Sequence, residues 1–161
     1  MTPTSAQHDP GGKSRPAWPG DSTVTARFSP CGQYRYELAE IWDPRRPLVL
    51  WILMNPSVAC LDYSDPTLRR TGNFSRAWGY GGQLIGNVHA YRATDKNRLL
   101  TVPDPVGPKN DKVTHLSISI ISAATTRQSH FVFAVSHPHQ FLVRTNAGQK
   151  AGPSLRVDGR K

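Results

Sequence analysis

Hydrophobic residues fall into a few short segments, and the spacing within each segment predicts a strand. LVLWILM, residues 48–54, is apolar without interruption, which is typical of a strand covered on both faces. QLIGNVHAY, residues 83–91, and HFVFAV, residues 130–135, are further apolar runs of strand length. Residues 28–42 instead contain a Pro-Cys-Gly turn followed by alternation through Tyr34, Tyr36 and Leu38, as a half-buried strand shows. The pattern therefore predicts four strands.

Two segments between these strands carry the signals of a helix. Asp65 is a suitable N-cap with Pro66 in the first turn, and apolar residues then recur at helical spacing until Gly79. Asn110 can begin a second helix, whose apolar positions continue to Ile121.

The alternation of strands and helices predicts an α/β fold. We expect a three-layer arrangement in which helices cover both faces of an open, mostly parallel sheet. The single α/β domain is predicted to span residues 26–136, and its C-terminal end can be incomplete. Residues 1–25 are rich in Pro, Gly, Ser and Thr and are predicted to be disordered, and residues 137–161 are predicted to form a basic, irregular tail.

Charge adds a preference for anionic partners. The chain of 161 residues has 20 Lys and Arg against 11 Asp and Glu, a net charge of +9. Seven basic residues and one acidic residue follow from Lys112 onward, so six of the nine excess charges lie in the last third. This distribution indicates either a solvated basic tail or attraction to nucleic acid, and the sequence leaves both open.

The compartment follows from what the sequence lacks. Cys31 and Cys60 are too few for a disulfide scaffold, and each reads as a core or loop residue in a reducing compartment. No apolar run approaches the roughly 18 residues that cross a bilayer. The first 22 residues also lack the apolar centre of a signal peptide. We expect a cytoplasmic protein that does not bind a membrane, while the oligomeric state stays open.

Signals for a cofactor or a metal are weak. Neither G-x-G-x-x-G nor G-x-x-x-x-G-K-[ST] occurs, so the usual nucleotide fingerprints are missing. His137 and His139 could share a metal, but no third ligand stands at an informative spacing. The sequence therefore predicts no cofactor and no metal site.

Polar residues follow two of the apolar strands at the point where each strand ends. Asn55 and Ser57 come directly after residues 48–54, and Asn87 closes the next predicted strand. Open α/β sheets bind ligands beyond the carboxyl ends of their strands, so we expect these residues to share a crevice. Asn55 can bind a ligand edge or tie down its own turn, and Ser57 can hold a phosphate.

The first predicted helix brings more candidates. Asp65 caps the helix or, with Thr67 beside it, orients a water or acts as a base in the crevice. Arg69 and Arg70 lie in the first turn, where cations oppose the helix dipole. That unfavourable placement suggests that an anionic ligand retains at least one of them.

Two later loops concentrate polar side chains. Arg92, in NVHAYRATD, offers a planar fork that matches phosphate or carboxylate. His89 in the same segment is a proton carrier or a structural histidine. Lys109 and Asn110, in VGPKND, stand at the second helix start, where free N–H groups favour anions, although capping alone also explains Asn110.

Six motifs in this order resemble the bacterial and phage family known as domain of unknown function 1643. They are FSPCGQYRYEL, ILMNPSVA, DPTLRR, WGYGG, NVHAYRATD and VGPKND. The resemblance implies an α/β protein of a phage or mobile element but supplies no activity. After the last predicted strand the chain departs from the family pattern, which continues with a Trp-Gly turn and further helices.

A more distant likeness is to the uracil-DNA glycosylase superfamily, in which a three-layer α/β fold holds a flipped base at the strand ends. The likeness implies that Asn55 positions the attacking water or faces the base. It implies that Asn87 is the second strand-end polar residue and that His137-Pro138 stands for the late motif that contacts nucleic acid. This is an analogy of fold, and it does not by itself establish chemistry.

The sequence therefore supports two main hypotheses, with a protein-interaction accessory as a third. The first is an enzyme acting on a nucleobase or nucleotide, with an N-glycosidic bond as its target. The second is a non-catalytic accessory protein that binds nucleotide or nucleic acid. The catalytic candidates are Asn55, Asp65 and Asn87. The substrate-binding candidates are Ser57, Thr67, Arg69, Arg70, Arg92, Lys109 and Asn110.

Overall fold

A five-stranded sheet forms the centre of the protein in a computed structural model, which describes residues 10–12, 14–123 and 130–133. The strands are β1 (Thr23–Phe28), β2 (Arg35–Ile41), β3 (Leu48–Leu53), β4 (Gly82–Asn87) and β5 (His130–Phe133). The helices are α1 (Pro66–Ala77), a short 3₁₀ helix (Lys96–Leu100) and α2 (Asn110–Ala123). This arrangement confirms the predicted mixture of strands and helices around an open sheet.

The sheet is mixed, so the prediction of a mostly parallel sheet was wrong. The strand order is β1-β2-β4-β3-β5. β2 runs antiparallel to β1 and to β4, whereas β3 is parallel to β4 and to β5. The short connection from β1 to β2 permits only an antiparallel hairpin, because a parallel pair needs a long crossover. β1 was not predicted, since this edge strand is only partly buried on its inner face, where the small residues Val24 and Ala26 pack against the core.

β3 is buried from Val49 to Leu53, as its apolar sequence predicts, and supplies two hydrophobic clusters. Val49, Trp51 and Leu53 belong to the first cluster, which includes Leu68 of α1. Leu50 and Ile52 belong to the second cluster, against which Ile118 of α2 packs. Neighbouring strand residues point to opposite faces of a sheet, which explains the division.

α1 begins and ends where its sequence predicts. The Asp65 carboxylate accepts a hydrogen bond from the Leu68 amide at 2.9 Å and so caps the helix. Trp78 is the C-cap, and Gly79 follows with a φ of 83°, a backbone conformation that favours glycine. The Trp51 indole donates to Ser75 Oγ at 3.0 Å and joins α1 to β3.

An irregularity in β2 buries an arginine. Arg27 pairs with Glu37 and Phe28 pairs with Arg35, so one residue of β2 has no counterpart in β1. Arg35 Nη1 donates to the carbonyl oxygen of Ala59 at 3.0 Å, and Ala59 belongs to the first cluster together with Leu38. In a regular strand Arg35 and Leu38 would face opposite sides, and the bulge brings both to this side of the sheet.

Residues before the predicted domain boundary at residue 26 are also in contact with the rest of the described chain. β1 starts at Thr23, and the chain before it is hydrogen-bonded to the segment between β3 and α1. The Ser64 amide donates to the Pro16 carbonyl at 2.8 Å, and the Trp18 indole donates to the Cys60 carbonyl at 2.9 Å. These contacts are long-range and leave no local signature in the sequence.

Three further predictions concern the chain termini, the cysteines and the membrane. The predicted tail at residues 137–161, and residues 1–9 of the predicted disordered segment, lie outside the described residues. Cys31 is exposed and Cys60 is buried, and both are free thiols. Across the part of the chain that the structure describes, none of the helices combines the length and apolar character needed to cross a bilayer.

Candidate functional site

A cleft of about 360 Å³ opens at the carboxyl end of β3. Four chain segments form its walls: the N-terminal segment, the end of β3 with the loop that follows, the first turn of α1, and the loop after β4. Arg35 of β2 contributes the remaining surface. The lining residues are Gly12, Ser14, Arg35, Leu53, Met54, Asn55, Ser57, Val58, Asp65, Pro66, Thr67, Leu68, Ala93, Thr94 and Lys96.

The cleft unites four of the ten candidate residues from the sequence. Those four follow β3 or begin α1, and they are Asn55, Ser57, Asp65 and Thr67. The other six do not line it, and they are Arg69, Arg70, Asn87, Arg92, Lys109 and Asn110. The juxtaposition at the end of β3 is therefore found, whereas the loops predicted to bind phosphate do not converge there.

Asn55 is engaged in holding two loops together. Its Nδ2 donates to the carbonyl oxygen of Ala93 at 2.7 Å and to that of Pro56 at 3.0 Å. An amide nitrogen has two hydrogens, so both donors are used. Asn55 can therefore offer a ligand only its side-chain carbonyl oxygen.

Asp65 is buried at the first turn of α1, where its Oδ1 accepts the Leu68 amide. The predicted capping role is thus present. The same carboxylate lies in the electrostatic range of Arg35, whose charged form it favours. Asp65 combines a structural role with the only negative charge among the lining side chains in the described part of the chain.

Two hydroxyl groups that line the cleft, those of Ser57 and Thr94, form a short hydrogen-bonded chain. Thr94 Oγ1 donates to the Gly11 carbonyl at 2.6 Å and lies 2.8 Å from Ser57 Oγ. Because Thr94 has one hydroxyl hydrogen, Ser57 is the donor in the second bond. Ser57 is thus oriented by Thr94, a residue that the sequence analysis had not selected.

Arg35 is the main residue that sequence reasoning missed. It is 1% exposed, yet it lines the cleft. Its Nε is buried and has no hydrogen-bond partner among the described residues. Burial lowers the pKa of Arg35 to about 10, an effect that Asp65 opposes and that the nearby Arg92 reinforces. No sequence signal marks it, since an Arg in an alternating strand reads as solvent-facing.

Lys96 adds a second cation at the rim. It is exposed at the start of the 3₁₀ helix, where Asp95 caps the chain by accepting from the Asn97 amide. Together with Arg35 and Asp65, it completes the charged groups that line the cleft within the described residues. The lining therefore carries an excess of one positive charge.

The arginines predicted to bind phosphate have other contacts. Arg69 Nη1 donates to the Ala17 carbonyl at 3.1 Å, and the Arg70 guanidinium lies 5.9 Å from the centre of the Phe74 ring. Arg92 is buried, and its Nη1 donates to the Gly32 carbonyl at 2.9 Å. Arg92 also lies over the ring of Phe28 at 5.2 Å. Lys109 is exposed, away from the cleft.

Asn87 and Asn110 are in contact at the end of β4, but their side chains differ in hydrogen bonding. Asn110 Nδ2 donates to the carbonyl oxygens of Asn87 and Val88 at 2.9 and 3.0 Å, which fixes α2 to the strand. Asn87 is 1% exposed, and neither polar atom of its side chain has a hydrogen-bond partner in the described structure. Asn87 pairs with Leu53 in register, so its amide lies on the sheet face from which Leu53 reaches the cleft.

Metal ligands do not gather in the described ranges. No group of three or more His, Cys, Asp or Glu residues is arranged there to hold an ion. His137, Pro138 and His139 lie outside the described residues. The polar side chains that line the cleft are one amide, four hydroxyls, one carboxylate and two cations, and the cations and hydroxyls suit a polar organic anion.

A family model described as "Protein of unknown function (DUF1643)" matches residues 35–146, well over half of the chain. The match begins at the buried arginine of β2 and includes every cleft residue except Gly12 and Ser14. No curated protein and no solved structure matches the chain significantly.

Proposed function

The chain belongs to the DUF1643 family, and we propose that it uses the cleft at the end of β3 to bind a nucleotide. The proposal rests on two kinds of group. The positive charges at the cleft suit a phosphate, and the side-chain amides of Asn55 and Asn87 suit a nucleobase. It corresponds to the second of the two hypotheses from the sequence, the non-catalytic binding protein.

The burial of Arg35 is the observation that carries this proposal. Removing a guanidinium from water is unfavourable unless charge and hydrogen bonds compensate it. Asp65 supplies one negative charge nearby, but Arg92 brings a second buried positive charge, and Arg35 Nε lacks a hydrogen-bond partner among the described residues. A bound phosphate at the cleft would offset the remaining charge and accept from the guanidinium.

The first turn of α1 supports the same assignment. Pro66, Thr67 and Leu68 line the cleft, so the amino end of a 12-residue helix borders it. This end carries a partial positive charge, which favours an anion. Lys96 lies on the same cleft and adds a flexible cation.

Asn87 does not line the cleft itself, but it is paired in register with the lining residue Leu53, and its amide favours a nucleobase over a simple anion as the ligand beside it. Its amide offers both donors and an acceptor, and none of them is used within the described residues. An unsatisfied buried amide costs on the order of 1–3 kcal/mol, so a complementary amide-like edge would be favoured. Pyrimidines and guanine present such an edge.

Cleavage of an N-glycosidic bond is the second candidate, and one observation favours it. Asn55 and Asp65, two of the proposed catalytic residues, line one cleft. In that reaction the Asp65 carboxylate would hold the attacking water and the Asn55 carbonyl oxygen would orient it. This role is the one that the likeness to uracil-DNA glycosylases implies. However, Asn55 and Asp65 are already engaged in hydrogen bonds that hold the fold, and this favours binding without catalysis.

Two broader predictions accompany the proposal. Helices on both faces of the sheet are supported by the two clusters, since α1 contributes to one and α2 packs against the other. A cytoplasmic role associated with a phage or mobile element stays a prediction.

The binding proposal is tested by titration calorimetry with uridine monophosphate, uridine and inorganic phosphate. We expect wild-type protein to bind the nucleotide, and Arg35→Met to bind it about tenfold more weakly or worse, because a charge-assisted contact is lost. Arg45→Met removes an exposed arginine that is paired with Asp43 and lies outside the cleft, so it is the matched control. If Arg35→Met and wild type bound the nucleotide with equal affinity, the cleft would not be the nucleotide-binding site.

The catalytic candidate needs its own assay. Release of free base from uridine monophosphate and from uracil-containing DNA is followed by chromatography for wild type and Asp65→Asn. Asparagine caps a helix about as well as aspartate, so the fold is retained while the carboxylate is lost. Base release that Asp65→Asn abolishes would establish the enzyme, whereas nucleotide binding without release would leave the binding protein.

A further inference from the structure

The N-terminal strap, which we define as residues 10–12 and 14–18, lies outside the residues matched by the family model. It nevertheless contributes Gly12 and Ser14 to the lining of the cleft. We infer that the strap is part of the nucleotide site and holds the ligand against Arg35 and α1. This inference rests on the proposed function and extends it to residues that the sequence predicted to be disordered.

Thr94 is the anchor of the strap beside the cleft. Its amide donates to the Pro10 carbonyl at 2.8 Å, and its hydroxyl donates to the Gly11 carbonyl at 2.6 Å. The same hydroxyl accepts from Ser57, so the strap, the loop after β4 and the loop after β3 meet at one oxygen atom. A ligand in the cleft is therefore surrounded by three segments that Thr94 joins.

The path of the strap requires glycine. Gly12 has a φ of 92°, and a Cβ there would lie 2.8 Å from Thr94 Oγ1 and 3.3 Å from Val58 Cγ1. Any side chain would thus push the strap away from the wall of the cleft. Gly11 also has a positive φ, of 81°.

The strap stays attached along the loop between β3 and α1. The Pro16 carbonyl accepts from the Ser64 amide, Ala17 forms a bridge with Tyr63, and the Trp18 indole donates to Cys60. These bonds are independent of Thr94. Weakening the Thr94 anchor should therefore release the part beside the cleft and leave the rest of the domain folded.

Ser14 supplies the chemistry that this position can add. Its side chain is exposed at the cleft, and a hydroxyl can donate to a phosphate or ribose oxygen. Gly12 contributes no side chain, so the backbone itself can approach a ligand closely. The strap therefore complements the cationic wall with neutral donors.

The test measures uridine monophosphate binding to Thr94→Val and Gly12→Ala. Thr94→Val keeps the shape of the side chain and removes the oxygen that joins the three segments. We expect each variant to bind about tenfold more weakly than wild type. Gly20→Ala is the matched control, since a Cβ at Gly20 meets nothing within 4 Å and that residue has no positive φ.

Thermal unfolding separates loss of the strap from loss of the fold. We expect Gly20→Ala and wild type to bind alike, and the two strap variants to melt within a few degrees of wild type. Ser14→Ala, which leaves the anchor intact, should weaken binding about threefold if its hydroxyl meets the ligand. Strap variants that bind as tightly as wild type would overturn the inference.

The outcomes also distinguish this inference from the proposed function. If Arg35→Met loses affinity while Thr94→Val and Gly12→Ala keep it, the cleft binds the nucleotide without the strap. If wild-type protein binds neither uridine monophosphate nor inorganic phosphate, the proposed function fails, and the inference fails with it.

Discussion

Asn55 Nδ2 donates to the carbonyl oxygen of Ala93 at 2.7 Å and so joins the segment after β3 to the segment after β4. This bond makes Asn55 a structural residue of the cleft whatever the ligand is. We predict that Asn55→Ala lowers the free energy of unfolding by about 1–2 kcal/mol, since two buried carbonyls lose donors. Asn55→Asp should cost more, because a carboxylate would face the same two carbonyl oxygens. Urea denaturation followed by tryptophan fluorescence measures both.

The control for this pair is Asn97→Asp, the same change at an exposed residue of the 3₁₀ helix. It should alter the free energy of unfolding by less than about 0.5 kcal/mol. If Asn55→Asp were as stable as Asn55→Ala, the Asn55 amide would not be donating to these carbonyls.

A second prediction concerns the cost of keeping Arg35 charged. Its folded-state pKa of about 10 lies below the value of 12.5 for a free guanidinium, so the charge destabilises the fold throughout the pH range below about 10. Arg35→Met loses the bond to Ala59 but relieves this burial penalty. We expect the free energy of unfolding at pH 7 to change by less than about 1.5 kcal/mol.

Phosphate should raise the melting temperature of wild-type protein but not that of Arg35→Met. Because an anion that binds only the folded state raises its stability, wild-type protein should melt higher in phosphate than in chloride at equal ionic strength. Arg35→Met should show no such difference. A loss of several kcal/mol in Arg35→Met without phosphate would instead assign Arg35 a purely structural role.

The sequence predicted those cleft residues whose positions follow from the local structure of the chain. The uninterrupted apolar run of β3 and the capping signal of Asp65 each determine a local structure, and together they place Asn55, Ser57 and Thr67 at one rim. These predictions depend on neighbours in the chain, and such neighbours are visible in one sequence.

The parts that were missed depend on distant contacts. Arg35 is buried because a bulge changes the register between β1 and β2, and a bulge has no fixed residue pattern. Gly12 lines the cleft because Thr94, far along the chain, donates hydrogen bonds to the strap carbonyls of Pro10 and Gly11. Arg92 carries the fork expected of a phosphate ligand, yet it is buried against Gly32 and Phe28. Residue type alone could not distinguish these surroundings.

A third prediction is that replacing a helical glycine by alanine, which usually stabilises a protein, destabilises this one at Gly72. Gly72 of α1 packs over the pair formed by Gln83 Nε2 and Glu40 Oε2, which are 2.7 Å apart. A Cβ at Gly72 would lie 3.1 and 3.3 Å from these atoms. Alanine normally stabilises a helix interior by about 1 kcal/mol relative to glycine. Here we expect Gly72→Ala to destabilise by about 1–2 kcal/mol, because the buried hydrogen bond is disturbed.

Asn73→Ala provides the comparison, since Asn73 is the next residue of α1 and is exposed. It should raise the free energy of unfolding by a few tenths of a kcal/mol, about the difference in helix propensity. Both variants are measured by urea denaturation at pH 7. Stabilisation by Gly72→Ala would show that α1 has room to move away from β4.

The last prediction concerns alkaline pH and Tyr80, a residue of the first cluster. Burial raises the pKa of the Tyr80 phenol to about 12, from 10 in an exposed tyrosine. The unfolded chain therefore ionises Tyr80 first, and the stability that the neutral phenol contributes is complete below pH 10 and is lost as the pH rises through 12. Discounted for partial contact with solvent, the loss attributable to Tyr80 is about 1–2 kcal/mol.

Burial also raises the pKa of Tyr34, Tyr36 and Tyr63, so the wild-type protein should lose stability from several phenols at once. The quantity that isolates Tyr80 is the difference in unfolding free energy between wild type and Tyr80→Phe, measured at intervals from pH 8 to about pH 11.5. This difference should be constant up to about pH 9.5 and should then shift in favour of Tyr80→Phe. A difference that stays constant to the end of the range would mean that the Tyr80 phenol ionises equally easily in the folded and unfolded chains, and that the first cluster does not exclude water from it.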